Sequence, residues 1–346
     1  MSGLLTVQQV DPWLQFNPYV VTGYRPRMSP RAALRSFFAW HNESFNVWSH
    51  TAAAFFTLYL AVLPPTDDSA VSAAAPLQLQ RQRPGGEGAL LNASPATVFR
   101  GTCLVFLAIF VCSAAYHLFM PCTTSEGAYR RLLNCDVLGV VTSITGTAWC
   151  FLYRGNACGS GWSSHVGAVA LLLSYVAVLY SVLFAVPCGA MGRAKAIGFH
   201  CALRLSILLW MELPKVQVQG YHQALNYHAV SYLFIIVGGA VNALRFPEKQ
   251  LRHVLQNSLS SLSSSSSSSS SALAATTRRT TAATLSVISR CLTRFWRWFG
   301  MYVVSGAEID YAWNSHNLWH YCVIMSATST LLGCYYDLAE FELARC

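Results

Sequence analysis

The chain has 346 residues, of which 54% are hydrophobic and 11% are charged, and it carries a formal net charge of +9. A soluble domain is typically about 25% charged, so this composition excludes an ordinary soluble protein and indicates a polytopic membrane protein. The basic residues fall between the apolar segments, and the sequence contains no basic helix or stacking platform of the nucleic-acid-binding type. We therefore expect no nucleic-acid partner.

The apolar segments predict an all-α fold, a bundle of seven transmembrane helices. About 20 apolar residues cross roughly 30 Å of hydrocarbon, and the predicted spans are residues 46–64, 98–120, 133–153, 165–187, 196–213, 225–245 and 317–336. Six of them lie within residues 46–245. The remaining regions are an N-terminal segment, a long loop and a C-terminal tail, at residues 1–45, 246–315 and 337–346.

The distribution of lysine and arginine predicts the orientation of the bundle. Arg25, Arg130, Arg131 and Lys195 belong to segments that share one side of the membrane when the spans alternate, and that side holds most of the basic residues. The positive-inside rule assigns it to the cytosol. The N-terminus is therefore predicted to be cytosolic and the C-terminus to be outside or luminal.

The loop before the last span contains two unusual stretches. The serine run Ser263–Ser271 cannot bury a core and is predicted to be disordered. In the segment Leu285–Val304, Arg290, Arg294 and Arg297 share one helical face opposite apolar residues. This pattern predicts an interfacial helix that binds anionic lipid headgroups on the cytosolic leaflet. The alternative is an ordinary connecting helix packed on the bundle.

Three histidines lie at the ends of predicted spans. His117 ends the second span, His316 and His320 begin the seventh, and Asp136 begins the third, so alternate crossings bring all four to the cytosolic side. His316 and His320 are four residues apart and therefore share one face of a helix. Three imidazoles that leave one position for water suit a catalytic zinc. A single histidine at a helix end, in contrast, is usually only a polar group at headgroup depth.

Two further side chains could take part in the chemistry. Asp136 is interpreted as a fourth ligand, an orienting group, the base for a metal-bound water, or a cap on its own helix N-terminus. Ser113, one turn before His117, could hold the water or a substrate carbonyl, or it could bond back to the helix carbonyls.

Arg204 lies inside the fifth span and needs a partner, for which Glu212, a headgroup or a carboxylate product are alternatives.

Several motifs together resemble those of the progestin and adipoQ receptor family, which includes adiponectin-receptor and haemolysin III-like membrane proteins. The resemblance runs from about Leu14 to Tyr321, and the serine-rich insertion before the seventh span departs from the short loop of a similar family member but spares the motifs. The motifs are Gly23-Tyr24-Arg25-Pro26, the stretch His41-Asn42-Glu43 with Asn46, Trp48 and His50, Ser113 with His117, Asp136, and Ser315-His316 with His320.

The resemblance implies a zinc ion near the cytosolic face of the bundle. Residues matching His117, His316 and His320 would bind Zn²⁺, and an aspartate matching Asp136 would act through a bound water. The positions matching Arg25, Glu43, Asn46 and His50 would lock the N-terminal segment onto the bundle.

The expected function is a zinc-dependent hydrolase that cleaves the amide bond of ceramide-like membrane lipids. Its products would be a sphingoid base and a fatty acid, with Asp136 and Ser113 as catalytic groups. The alternative is a receptor or scaffold that binds a steroid or an adiponectin-like protein and uses zinc only structurally. We expect a multi-pass protein of the Golgi, another endomembrane or the plasma membrane.

The predicted orientation can be tested with the two glycosylation sequons of the chain. Asn92-Ala93-Ser94 lies in the first outer loop of the predicted topology, whereas Asn42-Glu43-Ser44 lies inside. Expression in mammalian cells should therefore give a glycosidase-sensitive mass shift that Asn92→Gln removes. A shift that depends on Asn42 instead would reverse the orientation.

Overall fold

The computed structural model describes residues 3–63, 95–154, 161–184, 190–220, 223–253, 256 and 309–341. Apart from an isolated bridge between Leu5 and Tyr24, the regular structure of these stretches is helical, which confirms the predicted all-α class. The α-helices with both ends described are α1 Pro30–Ser36, α2 Ser44–Val62, α3 Pro95–Phe119, α4 Glu126–Gly146, α5 Trp149–Arg154, α6 Gly161–Leu183, α7 Ala190–Gln219, α8 Gln223–Leu244 and α9 Ser315–Phe341.

Three sequence predictions concern residues outside the described stretches. They are the glycosylation site at Asn92, the serine run Ser263–Ser271, and the interfacial helix Leu285–Val304 with its three arginines. They stay predictions.

Five helical stretches are long and apolar enough to cross a membrane: Ala96–Cys122, Glu126–Leu152, Ser164–Leu183, Gly192–Pro214 and Gln223–His253. They correspond to the second to sixth predicted spans. The first and seventh predicted spans are helical too, as α2 and α9, but neither is among these five stretches in the described part of the chain. Polar residues in α2 and α9, such as His50 and Asn317, lower the mean hydropathy. The predicted count of seven spans therefore stays a prediction.

The apolar helices expose large aliphatic side chains rather than burying them. Leu172, Leu173 and Val176 of α6 and Ile236 of α8 are all more than half exposed, with Leu173 at 65%. Such surfaces are costly in water and favourable against lipid chains. The chain is therefore a membrane protein, and these faces are suited to contact with hydrocarbon.

The chain forms two compact units. The first comprises Met1–Asn46 and Gly238–His320, and the second comprises Val47–Val237 and Tyr321–Cys346.

Within the second unit, α3 and α4 pack closely because a glycine faces the contact. A Cβ atom on Gly139 would lie 3.1 Å from the Ile109 Cα and 3.2 Å from the Cys112 Cβ. The hydroxyls of Tyr116 and Tyr129 join the same two helices at 2.7 Å. This close approach sets the side chains of α4 against the second half of α3, where Ser113 and His117 lie.

Candidate functional site

Three of the predicted site residues meet in the second unit. Ser113 and His117 lie one turn apart on α3 and are 3% and 1% exposed. Asp136 of α4 lies close to both side chains, near enough to interact electrostatically with His117. The second unit thus brings a hydroxyl, an imidazole and a carboxylate near one another, and their catalytic and metal-binding roles stay predictions.

One of the alternative roles for Asp136 is wrong. Helix α4 begins at Glu126, well before the predicted start of the span at residue 133, and Ser125 is its N-cap. The Ser125 hydroxyl accepts a hydrogen bond from the Ala128 N–H. Asp136 therefore lies inside the helix and cannot cap it, so its side chain is available to Ser113 and His117.

His316 and His320 face one another in the first unit, at the start of α9. Their ring centroids are 4.9 Å apart, and the planes meet edge to face at 63°. The ring of Phe16 packs edge-on against His316 with the centroids 5.8 Å apart. His320 is buried and His316 is half-buried. The predicted pairing on one helical face is therefore observed.

The first turn of α9 is fixed by an asparagine cap and by a carboxylate. The Asn314 Oδ1 atom accepts hydrogen bonds from the backbone N–H groups of His316 and Asn317 at 3.0 and 3.1 Å. Glu248, which is fully buried, accepts from the Ser315 N–H at 2.8 Å and from the Ser315 hydroxyl. The same carboxylate accepts from the Asn17 amide at 2.9 Å.

A second chain of hydrogen bonds ties α9 to the beginning of α2. The Asn317 amide donates to Asn46 Oδ1 at 2.8 Å, and the Asn46 amide donates to Glu43 Oε2 at 2.7 Å. Nearby in the sequence, the buried Arg25 guanidinium donates to the Ser36 hydroxyl at 2.8 Å. The locking roles that the resemblance implies for Glu43 and Asn46 thus have a physical basis in this unit.

Asp310 is the third anchoring carboxylate of the first unit. It is fully buried and accepts from the Thr22 N–H and hydroxyl at 3.0 and 2.8 Å and from the Val21 N–H at 3.2 Å. Arg252 pairs with both carboxylate oxygens, at 2.9 and 3.0 Å. Burial raises the pKa of Asp310, and the Thr22 and Arg252 contacts oppose that rise.

Sequence reasoning missed these anchors as functional residues. The sequence analysis singled out none of Glu248, Asp310, Asn314 and Asn317. The acidic residues beside a predicted span could have indicated these anchors, because an ionisable group close to the membrane needs a partner. The identity of that partner could not be read from the sequence, since Asn17 and Glu248 are far apart along the chain.

The structure identifies partners for Arg204 that the sequence analysis did not consider. Its guanidinium donates to the Tyr232 hydroxyl at 2.7 Å and to Thr147 Oγ1 at 3.2 Å. It also lies over the Phe151 ring, 5.3 Å from the centroid. These contacts favour a structural role in the second unit, where nearby His200 bonds to hydroxyl groups as well.

A second set of metal-ligating groups was also missed. Cys150, His228 and Asp337 in the second unit offer ligand atoms that lie within 4.8 Å of one another. The sequence analysis did not single out Cys150, and it ended the last span at residue 336. Because α9 continues to Phe341, Asp337 lies in the helix. The described chain therefore contains histidine-rich and acidic groups with the donor atoms that metal ions use.

The described residues form several membrane-length helices with buried histidines, as in a polytopic membrane protein, and comparison with known proteins gives the family. The family described as "Haemolysin-III related" matches residues 38–331 of this chain. Progestin and adipoQ receptor family member 4 of Homo sapiens is 30% identical over 247 residues, which cover 71% of this chain and 80% of that protein. Member 3 of Mus musculus is 27% identical over 186 residues, which cover 53% of this chain and 51% of that protein.

The chain therefore belongs to the haemolysin-III related family and to the progestin and adipoQ receptor family. Member 4 of Mus musculus matches in the same way, at 30% identity over 251 residues. The family resemblance expected from the sequence motifs is confirmed.

His41 predicts a pH dependence of stability. Burial, with a smaller effect of Arg25, lowers the pKa of His41 from 6.5 to about 3. The unfolded chain therefore binds this proton first as the pH falls. The contribution of His41 to stability is complete above pH 6.5 and is lost toward pH 3, by at most about 1.4 kcal/mol per pH unit.

Replacing His41 by glutamine should flatten the loss of stability between neutral and acidic pH. Thermal unfolding of the purified protein across this range measures the slope, and His253→Gln, at an exposed position of the same unit, serves as the control. A wild-type slope in the His41→Gln variant would contradict the assignment.

Proposed function

We propose that this protein is a zinc-dependent amide hydrolase acting on ceramide-type lipids. In this proposal seven spans cross the membrane with the N-terminus in the cytosol. His117, His316 and His320 hold the zinc, and Asp136 and Ser113 act on the substrate. The membrane would be that of the Golgi, another endomembrane compartment or the plasma membrane.

The observation that carries the proposal is the set of imidazoles. His117 is buried on α3 of the second unit, and His316 and His320 face one another on α9 of the first unit. Imidazole nitrogens suit zinc, and three of them leave a coordination position for water or substrate. A carboxylate beside one of the ligands is the usual companion of such a site, and Asp136 interacts electrostatically with His117.

The anchoring contacts of the first unit support the proposal as well. A metal site needs ligands whose positions are set before the ion arrives. Asn314 and Glu248 hold the first turn of α9, so His316 and His320 are presented on a fixed helical face.

The residues would divide the reaction between them. Bound zinc would lower the pKa of its water toward about 7 and polarise the amide carbonyl. Asp136 would orient the attacking water and accept its proton, and then pass the proton to the departing nitrogen as the C–N bond breaks. Ser113 would donate a hydrogen bond to the carbonyl oxygen as negative charge develops there. The products are a fatty acid and a sphingoid base.

A receptor or scaffold with a structural zinc is the second candidate. The electrostatic interaction between Asp136 and His117 favours it in one respect, because a carboxylate near a ligand could bind the metal directly and close the fourth position. The bound molecule would then be a steroid, a protein ligand or a lipid, held without turnover.

The variant Asp136→Asn tests the hydrolase candidate. If Asp136 is the base, the variant keeps its zinc and loses about 10²- to 10⁴-fold in the rate of ceramide hydrolysis. The measurement is release of labelled fatty acid by the purified full chain in lipid nanodiscs, alongside zinc content by mass spectrometry. The pair His316→Ala/His320→Ala should lose both zinc and turnover.

The control variant is His165→Ala, because His165 is an exposed histidine of α6. It should keep both zinc and hydrolysis. Zinc without turnover in the wild type, or hydrolysis that persists in the zinc-free double variant, would contradict the hydrolase proposal; the first result would favour the receptor.

A further inference from the structure

Three buried side chains from three helices converge in the second unit. Cys150 belongs to α5, His228 to α8 and Asp337 to α9, and they are 0%, 1% and 3% exposed. The His228 Nε2 atom lies 2.7 Å from Asp337 Oδ2. One ligand atom from each of the three residues lies within 4.8 Å of the other two.

The backbone of α9 is shaped to receive the imidazole. A Cβ atom on Gly333 would lie 2.8 Å from Cε1 of His228 and 3.0 Å from each ring nitrogen. Only a glycine therefore allows the ring to lie against the helix one turn before Asp337. The edge of the Phe151 ring packs on the imidazole with the centroids 6.2 Å apart.

One possible metal-binding atom of this group takes part in no hydrogen bond among the described residues. The Nδ1 atom of His228 is buried and has no hydrogen-bond partner among the described residues. Leaving a buried ring nitrogen unsatisfied destabilises the folded protein. The Cys150 thiol donates a hydrogen bond to the Thr147 carbonyl at 3.1 Å, and Cys334 lies beside it.

The group lies far from His117 within the same unit. Cys334, the neighbour of Cys150, contacts the Thr102 hydroxyl at 3.7 Å. Between Thr102 and His117 the helix α3 rises about 22 Å at 1.5 Å per residue. Cys150, His228 and Asp337 are thus separate from the Ser113, His117 and Asp136 group.

We propose that Cys150, His228 and Asp337 form a second metal site, selective for zinc-class divalent cations. A thiolate, an imidazole nitrogen and a carboxylate are the three donor types that zinc uses in proteins, whereas magnesium and calcium prefer oxygen alone. The ion joins α5, α8 and α9, so it stabilises that end of the second unit.

Metal binding at this site releases protons. The Cys150 S–H bond breaks as the sulfur binds the ion, and the proton shared between His228 and Asp337 is lost as these groups turn to the metal. Both protons pass to solvent, and no oxidant or reductant is required. The sulfur, nitrogen and oxygen come to rest at about 2.3, 2.0 and 2.1 Å from the ion, which needs only small shifts of the side chains.

Burial favours an ion over an organic substrate for this group. A cysteine, a histidine and an aspartate also occur together in enzymes with a nucleophilic thiol. Such a thiol has to be reached by its substrate, whereas the Cys150 side chain is 0% exposed. An ion needs only transient opening of the bundle, or it can bind during folding.

Cobalt substitution tests the site because it reports sulfur ligands directly. The three histidines of the proposed hydrolase centre include no sulfur, so a thiolate-to-cobalt charge-transfer band can come only from a cysteine. The full chain, produced in zinc-depleted medium supplemented with cobalt, should show this near-ultraviolet band. Cys150→Ser should abolish it, and Asp337→Asn should weaken cobalt affinity about 10- to 100-fold.

Two controls separate this site from others. Cys103→Ser removes an equally buried thiol, on α3, and should keep the band. His316→Ala/His320→Ala should also keep it, so failure of the hydrolase proposal and failure of this one are distinguishable. A cobalt-loaded wild type without the band, or a band that survives Cys150→Ser, would overturn the proposal.

X-ray absorption at the zinc edge keeps the proposal testable if Cys150→Ser does not fold. The wild-type protein should show a sulfur scatterer about 2.3 Å from zinc. A coordination shell of nitrogen and oxygen alone would rule out Cys150 as a ligand.

Discussion

A carboxylate buried inside a protein has to find its hydrogen-bond donors there, because it is shielded from water. Glu248 and Asp310 meet this constraint with donors from distant parts of the chain. Glu248 joins Asn17 to Ser315, and Asp310 joins Thr22 to Arg252. Removing either carboxylate would leave several buried donors without an acceptor, so the N-terminal segment and the start of α9 depend on these two groups.

The same constraint explains how the histidines are presented. His316 and His320 lie in the first two turns of α9. Asn314 caps the backbone of this helix, and the Asn317 side chain donates a hydrogen bond to Asn46. In the second unit, the close packing at Gly139 sets α4 against α3, and Asp136 meets Ser113 and His117 as a result. In both units, contacts outside the group of chemical interest fix its side chains.

The sequence predicted the helices and several members of the candidate sites, because both follow from local pattern. Apolar runs located five membrane-length helices, and four-residue spacing correctly paired His316 with His320. Partners distant in sequence could not be predicted in this way. Nothing in the sequence near Arg204 indicates Tyr232 or Thr147, and nothing near Cys150 indicates His228. The extent of α4 was also underestimated, since its polar first turns lower hydropathy without ending the helix.

The central claim is that His117, His316 and His320 hold one zinc ion. The most direct test is diffraction from crystals of the zinc-loaded protein, with data collected on both sides of the zinc absorption edge. The account predicts an anomalous difference peak bonded to a ring nitrogen of each of these three histidines, with the Asp136 carboxylate beside it. A zinc-loaded crystal with no peak at these histidines would contradict the account.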